Sequence, residues 1–298
     1  MATTCFRLAV TVAVLSGSVA VAASAGAAPS DGTIVFSATS AESQIDQLYS
    51  IQTSGEGVKQ LTTGSYQSDA PAFSPNGRRI AFQRTGVGIL TMNVDGSGLH
   101  RVTTNPRDSY PTWSPDGTHI AFVRPRVSRW VPYVVSAAGG RPRALGKSPP
   151  AGRPSWTKAG LLIASGGDVL RIDSSTGRVL KYYNADVDPI WGLNTVVPSP
   201  SVSLVTYVGA RDPVPGDQEC GEGACQRFGL YLESLTTKRK TPRLIVKDAG
   251  PATFAPDGKR IVYAAVGKLF IRSVATGAST PISTGAAAPT IAAPPAWR

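Results

Sequence analysis

Histidine is nearly absent from this chain: 298 residues contain two, His100 and His119. Cysteine is scarce, with three, and charged residues make up only 16%. Each shortage excludes a class of function. Two histidines do not furnish the ligands of a histidine-bound metal, and no C-x-x-C stands ready for redox or zinc chemistry. There is no G-x-S-x-G elbow, H-E-x-x-H, phosphate-binding loop or G-x-G-x-x-G opening a helix. No long polar or single-sign block marks a disordered tail. On the residues alone, no catalytic group, metal or cofactor is assigned. What is plentiful is glycine (31) and proline (24), the composition of many short strands joined by tight turns.

The first residues read as a targeting segment. Arg7 precedes an apolar stretch, Leu8 to Val21, and Ala23-Ser24-Ala25 offers small residues for a signal peptidase. The expected organisation is a signal peptide over residues 1–25, a linker over 26–30 and one domain over 31–298. An uncleaved anchor is the alternative, opposed by the Ala, Ser and Gly content of the second half of the stretch, since a stable span needs about 20 strongly apolar residues. No other segment has the length and apolarity to cross a membrane. Export, to the periplasm or beyond, alters the reading of the cysteines. Cys5 leaves with the signal, and Cys220 and Cys225, bracketing Gly-Glu-Gly-Ala, remain as an even pair in an oxidising compartment. A structural disulfide is expected of them. A metal site would need two further ligands nearby.

Internal repetition decides the fold. Ala72-Phe73-Ser74-Pro75-Asn76-Gly77-Arg78-Arg79-Ile80-Ala81-Phe82 aligns with Thr112-Trp113-Ser114-Pro115-Asp116-Gly117-Thr118-His119-Ile120-Ala121-Phe122. Thr253-Phe254-Ala255-Pro256-Asp257-Gly258-Lys259-Arg260-Ile261-Val262-Tyr263 is a third copy. Weaker copies begin at Ser155-Trp156, which has lost its Pro, and at Val197-Pro198, which has lost its Gly. Trp297 opens a sixth. The intervals from Phe73 to Trp113, Trp156, Pro198, Phe254 and Trp297 are 40, 43, 42, 56 and 43 residues, the period of a four-stranded propeller blade. The long interval contains the cysteine loop. Within the motif, Pro presets φ, Asp or Asn accepts local backbone bonds, and Gly takes the positive φ that ends the turn. The aromatic before the turn and the apolar pair after it are expected to pack between blades. A second Gly-containing hairpin follows in the repeats, as at Val94-Asp95-Gly96-Ser97-Gly98-Leu99. Residues 31–62 supply three strands without an opening one, and residues 287–297 supply an opening strand alone. Joining them completes a sixth blade and leaves no bare sheet edge. The predicted fold is all-β, a six-bladed β-propeller of four-stranded antiparallel blades closed by the C-terminal strand.

The Trp-Ser-Pro-Asp-Gly-x-x-Ile-Ala-Phe string resembles the WD-like propeller repeats of the TolB-like family, over about residues 31–298. The same repeats occur in the propeller domains of prolyl-oligopeptidase-type and tricorn-type peptidases. The resemblance implies fold more than function. TolB carries an α/β domain ahead of its propeller and the peptidases a hydrolase domain beside theirs, whereas here the first blade is expected almost at the cleavage site and the closing strand at Trp297.

Three groups of residues are candidates for function. Asp69, Asp108, Asp186, Asp188 and Asp248 each precede an opening strand, so they are candidates for one mouth of the central channel; turn capping is the alternative. Asp212, Asp217, Glu219 and Glu222 surround the cysteine loop without the alternating order of a calcium loop. The net charge is +11, of which the signal carries only Arg7. Basic residues bunch at Arg124-Arg126-Arg129, at Arg141-Arg143-Lys147, and at Lys238, Arg239, Lys240, Arg243 and Lys247. Outside the cytoplasm a basic surface suits an anionic envelope polymer or lipid headgroups better than nucleic acid. His119 takes the place held elsewhere by Arg79 and Arg260, and His100 the place of Lys59, so both are expected at the solvated surface. The expected function is a monomeric, non-catalytic binding or scaffold propeller recognising a protein or an anionic envelope component. The alternative is an enzyme processing a carbohydrate or lactone through channel-mouth carboxylates or a metal.

Overall fold

The computed structural model describes residues 32–39, 44–127, 129–165, 167–183, 196–211, 227–236, 242–282, 290–291 and 295–298. They form strands and turns only, gathered into six antiparallel sheets. Blade II comprises β4 (Ser68–Phe73), β5 (Arg79–Arg84), β6 (Gly88–Asn93) and β7 (His100–Arg101). Blade III comprises β8 (Ser109–Trp113), β9 (His119–Arg126), β10 (Arg129–Ser136) and β11 (Arg143–Ala144). Blade IV has β12 (Pro154–Thr157), β13 (Gly160–Ser165), β14 (Asp168–Ile172) and β15 (Val179–Tyr183). Blade V has β16 (Val197–Pro198), β17 (Leu204–Arg211), β18 (Arg227–Ser234) and β19 (Arg243–Lys247). Blade VI has β20 (Ala249–Phe254), β21 (Arg260–Ala265), β22 (Lys268–Ser273) and β23 (Ser279–Ile282). In every one of these the strands pair in chain order.

Blade I is assembled from both ends of the domain. It has β1 (Thr33–Thr39), β2 (Asp46–Gln52) and β3 (Lys59–Gln60), and its opening strand comes from β24 (Thr290–Ile291) and β25 (Ala296–Trp297). Trp297 pairs with Ile34 and Ala296 with Val35, while Ile291 pairs with Ala38 and Thr290 with Thr39. The expected closure is present, with the opening strand in two short pieces. Gly32 is required beside it: a Cβ there would stand 2.6 Å from Trp297 Nε1.

The core is a ring of six seams. Alternate residues of a strand point to opposite faces, so each blade packs on both neighbours. In β9, Ile120 and Phe122 face blade II with Ala81, Ile89 and Val102. Their alternates Ala121 and Val123 face blade IV with Leu161, Ile163 and Leu170. The I–II seam joins Val35 and Leu48 to Ile80, Phe82 and Met92, and the VI–I seam joins Val262, Leu269 and Ile282 to Ile34, Phe36 and Ile51. The seams IV–V and V–VI are built likewise. Four blades carry directly opposed, stacked aromatic pairs: Phe36–Tyr49, Phe122–Tyr133, Tyr207–Tyr231 and Tyr263–Phe270, with centroids 5.3 to 5.9 Å apart. Such cross-strand pairs contribute about 0.2–1 kcal/mol each relative to a pair of alanines.

The repeat turn has the chemistry its sequence implies. In blade II, Gly77 N donates to Ser74 O (2.8 Å) and Ser74 N to Arg79 O (2.9 Å). Asn76 Oδ1 accepts from Arg78 N at 3.0 Å, as Asp116 does from Thr118 N and Asp257 from Lys259 N. Gly77, Gly117 and Gly258 all have φ near 70°. Val202, where the fifth copy lacks glycine, takes φ 55° all the same.

Candidate functional site: the central channel

The innermost strands β4, β8, β12, β16, β20 and β25 surround the axis, and at or next to their ends stand Phe73, Trp113, Trp156, Pro198, Phe254 and Trp297. These six residues and the turns that follow them enclose a vestibule of about 770 Å³. All six blades contribute. The turn prolines Pro75, Pro115, Pro200 and Pro256 form much of its rim, and Lys158 and Arg298 are its cations. The aromatics have two tasks. Trp113 is buried, donates from Nε1 to Ala72 O of blade II at 3.1 Å, and so pins one seam while presenting an edge to the cavity.

Arg79 reaches across the II–III seam to lie 5.8 Å over Trp113 and donates to Thr91 Oγ1. Arg260 lies 5.0 Å over Trp297 and pairs with Asp257 at 3.3 Å. The slot expected to hold solvated charge is therefore a clamp between blades wherever it holds arginine. His119, in the third copy, is exposed, with Nδ1 2.7 Å from Thr118 Oγ1; His100 is exposed, with Nε2 3.2 Å from Ala138 O.

Deeper in the channel a narrower neck of about 160 Å³ shares Phe73, Thr112, Ser155, Val197, Thr253 and Trp297 with the vestibule. Pro71, Pro111, Pro154 and Pro295, at one level of four inner strands, ring it. Arg153 lines it as well, and Arg153 Nη1 is buried with no hydrogen-bond partner.

The carboxylates sit at the far end, where the inner strands begin. Asp69 accepts from Ser37 Oγ (2.9 Å) and from Ala70 N (2.5 Å). Burial pushes its carboxyl above the usual range, against the pull of those bonds and of Arg153. Burial also raises the Tyr110 hydroxyl, with the Asp69 charge adding to the rise, and lowers the Arg153 guanidinium. Asp69, Tyr110 and Arg153 thus share one electrostatic environment. Ala70 and Tyr110 are held there by bulges in β4 and β8, with φ 50° and 56°. Asp108 is differently placed. Its side chain is 0% exposed, and its oxygens receive Arg124 Nε at 2.6 Å and Nη2 at 2.9 Å. It holds a strand pair together instead of facing a ligand. Asp248 is exposed at φ 50° in the single-residue link between β19 and β20. Of the three described candidate aspartates, Asp69 alone stands with the Arg153 group; Asp186 and Asp188 lie outside the described residues.

The basic groups separate in the same way. Arg124 is spent on Asp108 and stacks 4.5 Å over Tyr133, and Arg126 Nε donates to the Tyr133 hydroxyl at 3.1 Å. Arg143 Nη2 donates to Ser174 O at 3.0 Å. Arg243 is exposed at the start of β19. Lys238, Arg239 and Lys240, the cysteines Cys220 and Cys225, and the acidic residues around them lie outside the described residues. Among the described residues no cluster of His, Cys, Asp and Glu has metal-binding geometry, and no helix is long and apolar enough to cross a membrane. Arg153 was legible in one respect only. Counting three residues back from each aromatic gives Ala70, Tyr110, Arg153, Pro251 and Pro294, an arginine in an otherwise uncharged slot.

No family model matches the chain. An uncharacterized protein of Agrobacterium fabrum is 34% identical over 84 residues, 27% of this chain and 29% of that protein. The match spans less than a third of that relative. Among solved structures, TolB from Acinetobacter baumannii superposes with a TM-score of 0.67 at 17% identity, covering 89% of this chain and 66% of TolB, just under two thirds. A chain of the nidogen/laminin complex gives 0.63 at 10% identity, covering 89% and 98%. These likenesses are of fold, and the chain has the TolB-like six-bladed propeller that its repeats resemble.

Proposed function

We propose that the protein is an exported, non-catalytic binding propeller whose ligand face is the aromatic vestibule. The observation that carries this is the lining: six blades each place an apolar residue on one 770 Å³ opening, with four turn prolines and two cations, Lys158 and Arg298, beside them. Binding cavities are concave, mostly apolar and furnished with a few oriented polar groups. The likeness to TolB supports a binding or scaffold role in an extracytoplasmic compartment. A signal over residues 1–25, a linker over 26–30, a Cys220–Cys225 disulfide and a monomeric state complete the proposal. The partner is a protein or an anionic envelope component, the latter met by Lys238, Arg239, Lys240 and Arg243.

The enzyme reading keeps one supporting observation, the raised carboxyl of Asp69 beside Tyr110 and Arg153. A buried acid of that kind is a functional-site candidate, but it stands at the far end of the channel from the vestibule.

A photocrosslinker at Lys158, inside the vestibule, should capture a defined partner from envelope extract, while the same group at the exposed hairpin residue Lys268 should not. Equal capture at both positions would remove the vestibule from the interface.

A further inference from the structure

The neck beneath the vestibule holds a cation, Arg153, one of whose donors finds no partner among the described residues. Arg153 is the residue just ahead of Pro154, at the start of β12, and lines the neck. Its Nη1 is buried and lacks a hydrogen-bond partner. A buried donor left in that state is costly, because it has given up water and received nothing in return. Asp69 and Tyr110 are close enough to act on it electrostatically, yet among the described residues no ion pair or hydrogen bond joins either to it.

The rest of the neck suits an oxyanion. Thr112, Ser155 and Thr253 bring hydroxyls to the level just above Arg153, on the shared boundary with the vestibule. Thr112 Oγ1 accepts from Trp156 N at 3.2 Å, which leaves its own proton to donate. Among the described residues no Asp or Glu lines either cavity. Above the hydroxyls the walls become Phe73, Trp113, Trp156, Phe254 and Trp297. Polarity thus runs in one direction along the axis, from aromatic opening through hydroxyls to a single cation.

We propose that the neck is a carboxylate site: Arg153 receives the monoanionic carboxylate of an organic acid whose apolar body lies among the vestibule aromatics. This deepens the binding reading above and rests on it. Guanidinium and carboxylate match as a planar, charge-assisted pair, and a desolvated neck strengthens the attraction. The single positive charge of Arg153 matches one negative charge, and Asp69 close behind opposes any more. A phosphate monoester, carrying about −1.5 to −2 near neutral pH, would meet Asp69 with charge in excess. A free small acid and the C-terminus of an extended peptide offer the same chemistry, and the probes separate them.

Trp113, Trp156 and Trp297 line the vestibule, so intrinsic fluorescence reports its occupation. The full chain, after removal of residues 1–25, is titrated with 3-phenylpropionate and with acetyl-Ala-Ala-Phe bearing a free carboxylate, each against its amide. At least one acid should bind, at least about tenfold more tightly than its amide, the loss expected for one hydrogen bond to a charged group. Binding by the peptide acid alone identifies a chain terminus as the source, and binding by the small acid alone a free metabolite. Arg153→Gln should abolish the difference between acid and amide, and its melting temperature should not fall, since it removes an unsatisfied charge. Asp69→Asn should tighten acid binding, which a merely structural arginine would not produce. If Arg153→Gln fails to fold, Arg153→Lys takes its place and should weaken acid binding about tenfold through loss of the planar match. The proposal is overturned if neither acid binds at millimolar concentration, if the amides bind as tightly as the acids, or if the Arg153 variants keep wild-type affinity. Partner capture at Lys158 with any of those results would leave the vestibule reading standing and discard the neck.

Discussion

The guanidinium of Arg260 lies 5.0 Å over the ring of Trp297, so the last complete blade grips the strand that closes the ring. Trp297 is buried in the VI–I seam with Ile34, Phe36 and Val262, and its neighbour Arg298 donates from Nη1 to Gly77 O of blade II at 2.7 Å. Three blades meet at these two residues. Trp297→Ala should therefore cost about 3–5 kcal/mol, the range for a buried aromatic truncated to alanine. Arg260→Ala should cost about 0.5–2 kcal/mol. Deleting residues 287–298 bares β1 as a sheet edge and should give aggregation. Urea midpoints and light scattering test the series. A truncated protein that stays monomeric with an unchanged midpoint would refute closure as a source of stability.

A second prediction concerns Asp108. Both its oxygens are engaged by Arg124, whose side chain is 16% exposed. Asp108→Ala should destabilise by about 3–5 kcal/mol, because it leaves a largely buried guanidinium uncompensated. Adding Arg124→Met should recover most of the loss, since the pair's contribution is offset by the cost of desolvating it. Failure of the double variant to recover would mean that Arg124 is held by its stacking on Tyr133 and not by Asp108.

The contrast between these two sites shows what the sequence makes legible. Ring closure was readable because Pro295-Ala296-Trp297 repeats the Pro-x-aromatic opening of blades II, III and IV, and local pattern survives into structure wherever a strand has a fixed place in a repeat. The use of Asp108 was not readable. Asp69 and Asp108 look alike in sequence, each a few residues before an opening strand, but they differ by one position relative to the aromatic. That single step sends Asp108 toward Arg124 on β9, where blade II sets Ser68 opposite Arg84, and leaves Asp69 beside Arg153. The vestibule was half readable. The aromatics were identified as blade packing, and their second face, turned to the axis, follows only when six copies are placed around one centre.

Left-handed backbone gives a prediction of opposite signs at two valines. Val266 has φ 45° and precedes Gly267 at φ 72°, so the β21–β22 hairpin turns through two left-handed residues and favours Asn-Gly. Val266 is 84% exposed and gains nothing from its side chain. Val266→Asn should stabilise by about 1 kcal/mol, the lower end of the left-handed penalty for a residue with a Cβ. Val202 has φ 55° but is 4% exposed, packed in the IV–V seam with Leu162 and Tyr207. Val202→Gly relieves comparable strain and forfeits about 1.5–3 kcal/mol of burial, so it should destabilise. Melting curves of the two variants decide it, and a gain at both positions would show that strain outweighs packing at Val202.

Acid should weaken the repeat turn of blade III. Asp116 accepts from Ser114 Oγ (2.5 Å), Thr118 N (3.0 Å) and Thr118 Oγ1 (2.8 Å). The Ser114 bond first, then the Thr118 bonds, hold its carboxyl down at about 2 against an ordinary 3.8. A carboxyl with a lowered folded value contributes stability that is present above its unfolded value and lost as pH falls through the folded one. The window is therefore about pH 4 down to about pH 2. Asp116→Asn keeps the acceptor oxygen, as Asn76 does in blade II with Ser74 and Arg78, and has no proton to take up. Wild type should melt higher than Asp116→Asn at pH 6, and the gap should close by pH 2. A gap independent of pH would place the benefit in hydrogen-bond geometry instead of charge.

The last prediction separates the two faces offered for binding. If partner affinity comes from Lys238, Arg239, Lys240 and Arg243, it should fall steeply with salt, because exposed charges are screened over about 10 Å at 0.1 M ionic strength. Neutralising the four together should then weaken binding without shifting the melting temperature, since Arg243 is exposed on an outer strand. If affinity comes from the vestibule, salt should matter little and Trp156→Ala should be the damaging change. Trp156 is half-buried and lines the cavity, and removing such an aromatic anchor from an interface typically costs at least about 2 kcal/mol. Titrations of both variants with the captured partner at low and at physiological salt give four affinities. A partner insensitive to both changes would bind neither face, and the propeller would then have to be read by its outer strands.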